Sequence, residues 1–509
     1  MKKKWLLLIP LFAVTLSGCS FIKRLIFGDE STTQAISYNL SLPEPQVDHG
    51  DGYDKYNSFS YNLREVLNTT GQYPLKSTGT QKVLVIPVQF TGSAYRWTTY
   101  ERDSIRKCFF GNPSSNLDLG WESVSSFYNK SSFGKLEISG ELGETFTSKY
   151  TFAELDSALH PHPDRDLVDE FEKSTTYNTL RKKYDTDGDG FIDSIAFIYR
   201  DPIKVDSEMR WWAFVYTNNS EPNAEKPMVN TYMWASYYFQ DIASSGNPHG
   251  GKYNLDAHTY IHESGHLLGL DDYYCYPDNA YDPSGGQEMH SQNIGDENIY
   301  SKLCLNWVAP YHVKTSGSVT LTLRTSSAYG DAIIINDNWN GTPMDEYLIL
   351  EYYSPTVLNQ KDSESAYAKN AQMFQTSGFR LYHVDSRLVA YNKVGEAGYA
   401  KRLDWIDPTY YNFVGASNTP SYPYSRLNDT TEMKNFKLLH LMQAGGVNTF
   451  KTKGDKAVDS DLFREGSSFV ANANFFANGS KFNAGNEVGY RISFGTCEPT
   501  QGTVTITKL

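Results

Sequence analysis

Apolar and polar residues divide this chain into two unlike parts. In the first, strand-like runs alternate with helical spacings. Val83-Leu84-Val85-Ile86-Pro87-Val88-Gln89-Phe90 is an almost unbroken apolar run, the pattern of a buried strand, and Pro87 within it points to an edge or a bulge. Val124, Phe127 and Tyr128 fall at helical spacing, 135–140 alternates as a strand does, Ile195–Tyr199 is a further apolar strand, and 255–270 reads as a helix. From about residue 313 the period changes. Short alternating runs such as 319–323 and 504–507 stand between clusters of Gly, Asn, Asp and Ser, which predicts an all-β, sandwich-like region. The expected architecture is an α+β domain over 81–312 followed by a mainly β domain over 313–509. A single core rarely grows past roughly 250–300 residues, so two folded units suit a chain of 509. Residues 20–80 are polar, carry Pro43, Pro45, Gly50 and Gly52, and show little periodicity; they read as a tether, or as a short pro-segment.

The first residues carry an address. Lys2, Lys3 and Lys4 precede an apolar run over 5–15, too short to span a membrane, and then comes Leu16-Ser17-Gly18-Cys19. This resembles the bacterial lipobox, which implies that 1–19 is a lipoprotein signal and that Cys19 is acylated. The protein is then expected on the extracellular face of a bacterial membrane, held by its lipid. No later run approaches the ~18–20 apolar residues of a membrane span. The net charge of −13 argues against nucleic acid as a partner. Apart from Cys19 there are four cysteines, Cys108, Cys275, Cys304 and Cys497. An exported location permits disulfides, and Cys275 with Cys304, which flank the site described next, is the first pairing to test. None forms a Cys-x-x-Cys pair, so a sulfur-ligated zinc is not expected.

The candidate chemistry lies in His262-Glu263-Ser264-Gly265-His266-Leu267-Leu268-Gly269-Leu270-Asp271-Asp272. On a helix, His262 and His266 are four apart and face the same way, so both imidazoles can bind one Zn²⁺ at about 2.0–2.1 Å. Glu263 can sit beside the metal without ligating it, placed to take a proton from the attacking water and return it to the leaving amine. Gly269 permits a sharp turn, after which Asp272 can supply a third ligand and leave the fourth position for water. His258, one turn earlier, is more simply read as a surface or supporting residue than as a ligand.

These residues resemble the metzincin-type signature in the variant with Asp as third ligand. More specifically, the chain resembles the immune inhibitor A family of secreted metallopeptidases. The likeness rests on 83–90, on Ser125-Ser126-Phe127-Tyr128-Asn129-Lys130-Ser131-Ser132-Phe133-Gly134-Lys135-Leu136, on the zinc motif, on Tyr300-Ser301-Lys302-Leu303 with Asn306-Trp307, and on stretches at 346–351, 378–385 and 461–466. It implies an extracellular zinc endopeptidase acting on protein or peptide substrates, with Met289 as the Met-turn beneath the metal. The donor to the transition state stays open among His290, Tyr273, Tyr274 and Tyr276. The rival reading is a surface adhesin or glycan-binding lipoprotein on an inactive peptidase scaffold; the complete set of His262, Glu263, His266 and Asp272 stands against it. A serine hydrolase lacks its Gly-x-Ser-x-Gly motif.

A second constellation is Asp185-Thr186-Asp187-Gly188-Asp189-Gly190-Phe191-Ile192-Asp193. Its acids occupy loop positions 1, 3, 5 and 9, Gly190 falls where a calcium loop turns sharply, and the carbonyl of Phe191 falls at position 7. Position 12 is Ala196 rather than a bidentate Glu, so this is not a complete EF-hand loop. Four carboxylates so close repel one another without a cation, and a structural Ca²⁺ held by Asp185, Asp187, Asp189, Asp193 and the Phe191 carbonyl is expected.

Overall fold

The computed structural model describes residues 62–509 except 114–118, 206–208, 219, 241–254, 277–281, 368–371, 392–398, 404–405, 408–409, 420–435 and 453. Ahead of these it describes only the short strands Ile36–Ser37, Tyr53–Lys55 and Ser58–Phe59. The signal over 1–19 and Cys19 lie outside the described residues.

The first part is built on one mixed sheet. Its strands run in the order Leu136–Leu142, Gly79–Phe90, Ile195–Tyr199, Thr231–Ser236, Phe214–Thr217. All neighbours are parallel except the last pair, so Phe214–Thr217 is an antiparallel edge strand. Gly79–Phe90 is internal, against the edge position that Pro87 suggests. The reason lies in its partners. On one side it pairs with Leu136–Leu142 through Val85 and with Phe146–Ser148 from Val88, so Pro87 falls in the gap between two partners and its missing N–H costs that ladder nothing. One face of the sheet, with Leu84, Ile86 and Val88, is covered by the helix Pro163–Lys173 through Leu167, Val168 and Phe171. The other face, with Val83 and Val85, packs on the helices Val124–Ser131 and His258–Leu267.

Two of the sheets in the later part share an apolar core. The strands expected over 319–323 and 504–507 occupy Ser318–Arg324 and Gln501–Lys508, paired antiparallel in a four-stranded sheet. A six-stranded sheet has Glu346–Tyr353 and Ala332–Ile335 at its middle, with Gly378–Asp385 on the other side of Glu346–Tyr353. Glu346–Tyr353 is buried on both faces. Leu348, Leu350 and Tyr352 face the four-stranded sheet, whereas Tyr347, Ile349 and Tyr353 join the core that also holds the helix His258–Leu267. The two parts therefore meet through one continuous interior. Their border falls slightly before residue 313, because Tyr311–Val313 already belongs to the six-stranded sheet.

The tether expected over 20–80 does not extend to its end. Asn62 and Glu65 cap the helix Leu63–Asn68 reciprocally, and Leu63, Val66 and Leu75 are buried in the main core. Leu75 N–H donates to Leu267 O, and Asn230 binds both Tyr73 N–H and Gly71 O, so 62–76 is strapped to the end of the site helix and to the edge hairpin. Tyr53–Lys55 pairs with Tyr311–Val313. The Cys275–Cys304 disulfide is not formed: Cys108, Cys275, Cys304 and Cys497 are all thiols. Cys275 points its sulfur at the Asn418 carbonyl, and Cys304 is buried on the helix Ile299–Cys304. Burial pushes both thiols up to about 12.

Candidate metal centre

The site helix His258–Leu267 is buried along almost its whole length, so its polar side chains must find partners inside the protein. Its first turn has no capping side chain at Ala257, and Asp256 Oδ1 accepts the His258 N–H instead, at 3.1 Å. The helix ends at Gly269, whose φ of +96° is open to glycine at little cost; a Cβ there would also meet Leu67 at 2.5 Å. The turn carries the Leu270 carbonyl back over the helix end, where it accepts from His266 Nδ1 at 2.8 Å. His262 Nδ1 donates to the Met289 carbonyl at 2.9 Å. Each imidazole thus has its Nδ1 anchored on a carbonyl and its Nε2 turned toward Asp272 Oδ1, the orientation of a ligating histidine.

The two Nε2 atoms lie 3.1 Å apart, and Asp272 Oδ1 lies 3.0 Å from His262 Nε2 and 3.3 Å from His266 Nε2. Ligands bonded to zinc at about 2.05 Å in a tetrahedron stand roughly 3.3 Å apart. The three donors therefore form one face of such a tetrahedron, and this chain fits a zinc ion there. Burial acts to push the Asp272 carboxyl up, but the two imidazoles outweigh it and hold that carboxyl well below the usual carboxylate range. Burial likewise opposes charge on His266, and Asp272 overcomes it, raising the imidazole to about 10. The anion thus attracts positive charge to the point where the three donors meet. Of the adjacent acids, Asp272 is the one at the histidines; Asp271 turns back to accept the Asp272 N–H at 3.0 Å.

Glu263 is buried beside this triangle, and its Oε2 has no hydrogen-bond partner. Burial raises its carboxyl, His262 and His266 lower it, and burial prevails. A carboxylate so placed is a stronger base than one in water. The Tyr276 hydroxyl donates to Asp272 Oδ2 and holds that carboxylate from its other oxygen. Tyr273 is turned away, its hydroxyl 2.8 Å from Ser301 Oγ.

Met289 is fully buried and contributes its carbonyl to His262. The ring that lies against both ligand imidazoles is that of the next residue, His290, with centroids 4.9 Å from His262 and 5.0 Å from His266. Gly265 makes this approach possible, since a Cβ there would stand 2.0 Å from His290 Nε2. Sequence reasoning placed His290 only among the transition-state donors and missed its position; the small residue at 265 was the available signal. His258 is no ligand. Its ring is stacked between Trp121 and Tyr367, its Nδ1 lies 2.5 Å from Asp256 Oδ1, and its Nε2 lies 3.5 Å from Asp362 Oδ2.

At the acidic loop, the structure brings Asp185, Asp187 and Asp193 together, with one oxygen of each within 4.8 Å of the others. That donor set fits a hard divalent cation. Asp189 does not join it: its Oδ1 accepts the Phe191 N–H at 2.9 Å, while the Phe191 ring stacks on Tyr73. Two cations from the strapped segment reach the same place, with Lys76 3.1 Å and Arg64 3.7 Å from Asp187. They relieve part of the repulsion that the spacing alone assigns to calcium.

No protein family's sequence profile matches this chain, and no curated protein matches it. Among the described residues, no helix is long and apolar enough to cross a membrane.

Proposed function

We propose that this protein is a zinc-dependent endopeptidase that hydrolyses peptide bonds of protein substrates. The reading is carried by one observation: two imidazole nitrogens and one carboxylate oxygen with edges of 3.0–3.3 Å, beside the unpartnered Oε2 of Glu263. His262, His266 and Asp272 hold the metal. Zinc bound there would polarise the scissile carbonyl and lower the pKa of a bound water toward ~7. Glu263 orients the attacking water, takes its proton on Oε2, and delivers it to the amine nitrogen as the peptide bond breaks. The Met289 and Leu270 carbonyls keep both imidazoles in the ligating tautomer throughout. Tyr274 is assigned as the donor for the developing oxyanion, because the Tyr273 hydroxyl is held by Ser301 and the Tyr276 hydroxyl by Asp272.

Two further assignments belong to this reading. Asp185, Asp187 and Asp193 hold a structural Ca²⁺, and Cys19 carries the acyl chain that keeps the enzyme on the outer face of a bacterial membrane. The test is digestion of a panel of denatured proteins, with and without a chelator, beside Glu263→Gln. Chelator-sensitive cleavage by the parent and none by the variant is expected. A parent that holds zinc yet cleaves nothing refutes the peptidase and favours a binding protein.

A further inference from the structure

Beneath the triangle of donors lies a third imidazole for which the proposed chemistry has no use. His290 is fully buried, and neither of its ring nitrogens makes a hydrogen bond. A neutral imidazole carries one N–H donor and one acceptor, and a buried polar atom left without a partner loses its hydration with nothing in return. The nearest charged group is Glu297, whose Oε1 lies 3.3 Å from His290 Nε2 and whose two oxygens are themselves buried without hydrogen bonds. The other nitrogen, Nδ1, is left over.

We propose that His290 is a third imidazole ligand of the metal, backed by Glu297; this rests on the zinc reading of the same site but not on peptidase activity. The first argument is the common pattern of the three imidazoles. His262 and His266 each engage an oxygen acceptor through one nitrogen and leave the other toward Asp272. At His290 a carboxylate oxygen stands 3.3 Å behind Nε2, and a carboxylate on the far nitrogen is the usual support of a metal-bound histidine. His258 provides the contrast, since carboxylates face both of its nitrogens.

The second argument is distance. One donor atom from each of His262, His266, Asp272 and His290 lies within 4.8 Å of the other three. In a tetrahedral site that separation closes to roughly 3.3 Å, so His290 has to approach by up to about 1.5 Å. Rotation about the Cβ–Cγ bond of a histidine meets no steep barrier, and a turn of about 80° carries Nδ1, which stands ~1.2 Å off that axis, by ~1.5 Å. The third argument is Gly265. A Cβ there would stand 2.0 Å from His290 Nε2, and its absence lets the ring lie against the helix that carries both ligand histidines. With His290 recruited, the protein supplies three nitrogens and one oxygen, a set that suits Zn²⁺ or Co²⁺ and not Mg²⁺ or Ca²⁺. Water would enter such a site as a further ligand beside these four residues.

The experiment is zinc-edge X-ray absorption on the full chain loaded with one zinc, which counts coordinated imidazoles, together with zinc affinity by chelator competition. Three imidazoles are expected in the parent and two in His290→Phe, whose affinity falls ~10–100-fold. Glu297→Gln should keep three imidazoles and lose ~10-fold in affinity. Two imidazoles in the parent overturn the proposal, and that count holds even if His290→Phe does not fold. Two imidazoles in an active protease sink this inference alone. Three imidazoles in a protein that cleaves nothing sink the peptidase and leave this inference standing.

Discussion

Replacing His258 should expose a pH-dependent share of the stability that belongs to one buried cation. His258 is 1% exposed, and the rings of Trp121 and Tyr367 cover its two faces at 4.2 and 4.1 Å. Asp256 and Asp362 stand at its two nitrogens, and the Tyr367 hydroxyl donates to Asp256 Oδ2 at 2.7 Å. Burial disfavours the imidazolium, but the two carboxylates overcome that penalty and raise the group from 6.5 to about 9. The native protein therefore binds a proton more tightly than the unfolded chain does. The stabilisation is complete below pH 6.5 and disappears as pH rises through 9, and a shift of this size corresponds to roughly 3 kcal/mol. The assay is urea unfolding of the parent and of His258→Gln from pH 6 to 10, with zinc saturating in both so that metal linkage cancels. The parent's advantage should shrink by a few kcal/mol across that range. Parallel curves would refute the reasoning, because His258 would then be neutral between its two acids.

The other predictions address the metals and the anchor. Glu263→Gln should keep its zinc and lose ~10²–10⁴-fold in peptidase rate, whereas Asp272→Ala should lose zinc along with activity, as His262→Ala and His266→Ala do; bound zinc is read by atomic absorption, and full occupancy in Asp272→Ala sinks the third-ligand assignment. Burial raises the Asp189 carboxyl to about 6, so its ionised form weakens the calcium-free protein as pH rises from 3.8 through 6. Asp189→Asn should therefore melt higher than the parent at pH 7 without calcium and equal it below pH 4. Calcium should raise the melting temperature of both; a flat calcium titration at fixed zinc would remove the cation from Asp185, Asp187 and Asp193. Cys19→Ala should move the protein from the membrane fraction to the medium, and a variant still membrane-bound after signal removal would place the anchor elsewhere.

What could be read from the chain was what lies close along it. His262, His266, Gly269 and Asp272 fall within eleven residues, so helical spacing and one glycine turn suffice to bring their donors together. His290 could not be read this way. Its approach depends on where 283–287 is held, and three contacts from the distant β-rich part hold it: Leu441 N–H donates to Pro283 O, Ala457 N–H to Gly285 O, and Arg380 to Gln287 O. Pro87 misled because a proline's cost depends on which flank of its strand has a partner at that residue. The segment 62–80 looked like a tether because its helix has only six residues and its fixings, Leu267, Asn230 and Asn412, are far away in sequence. The acidic loop looked more complete than it is because Lys76 and Arg64 reach it only through that same packing.

The pairing of Tyr53–Lys55 with Tyr311–Val313 bears on the order in which the molecule can assemble. One of the earliest strands waits for a partner made more than two hundred residues later, and the sheet they join is completed only by Leu439–Met442 at its far edge. Contacts of such long range form slowly, because the loop between them must close before it is repaid. A growing chain therefore has no early opportunity to lock its front end into the finished sheet. Were the chain exported as an extended thread, as the proposed anchor at Cys19 requires, that delay would keep the six-stranded sheet unformed until its last strands arrive on the far side.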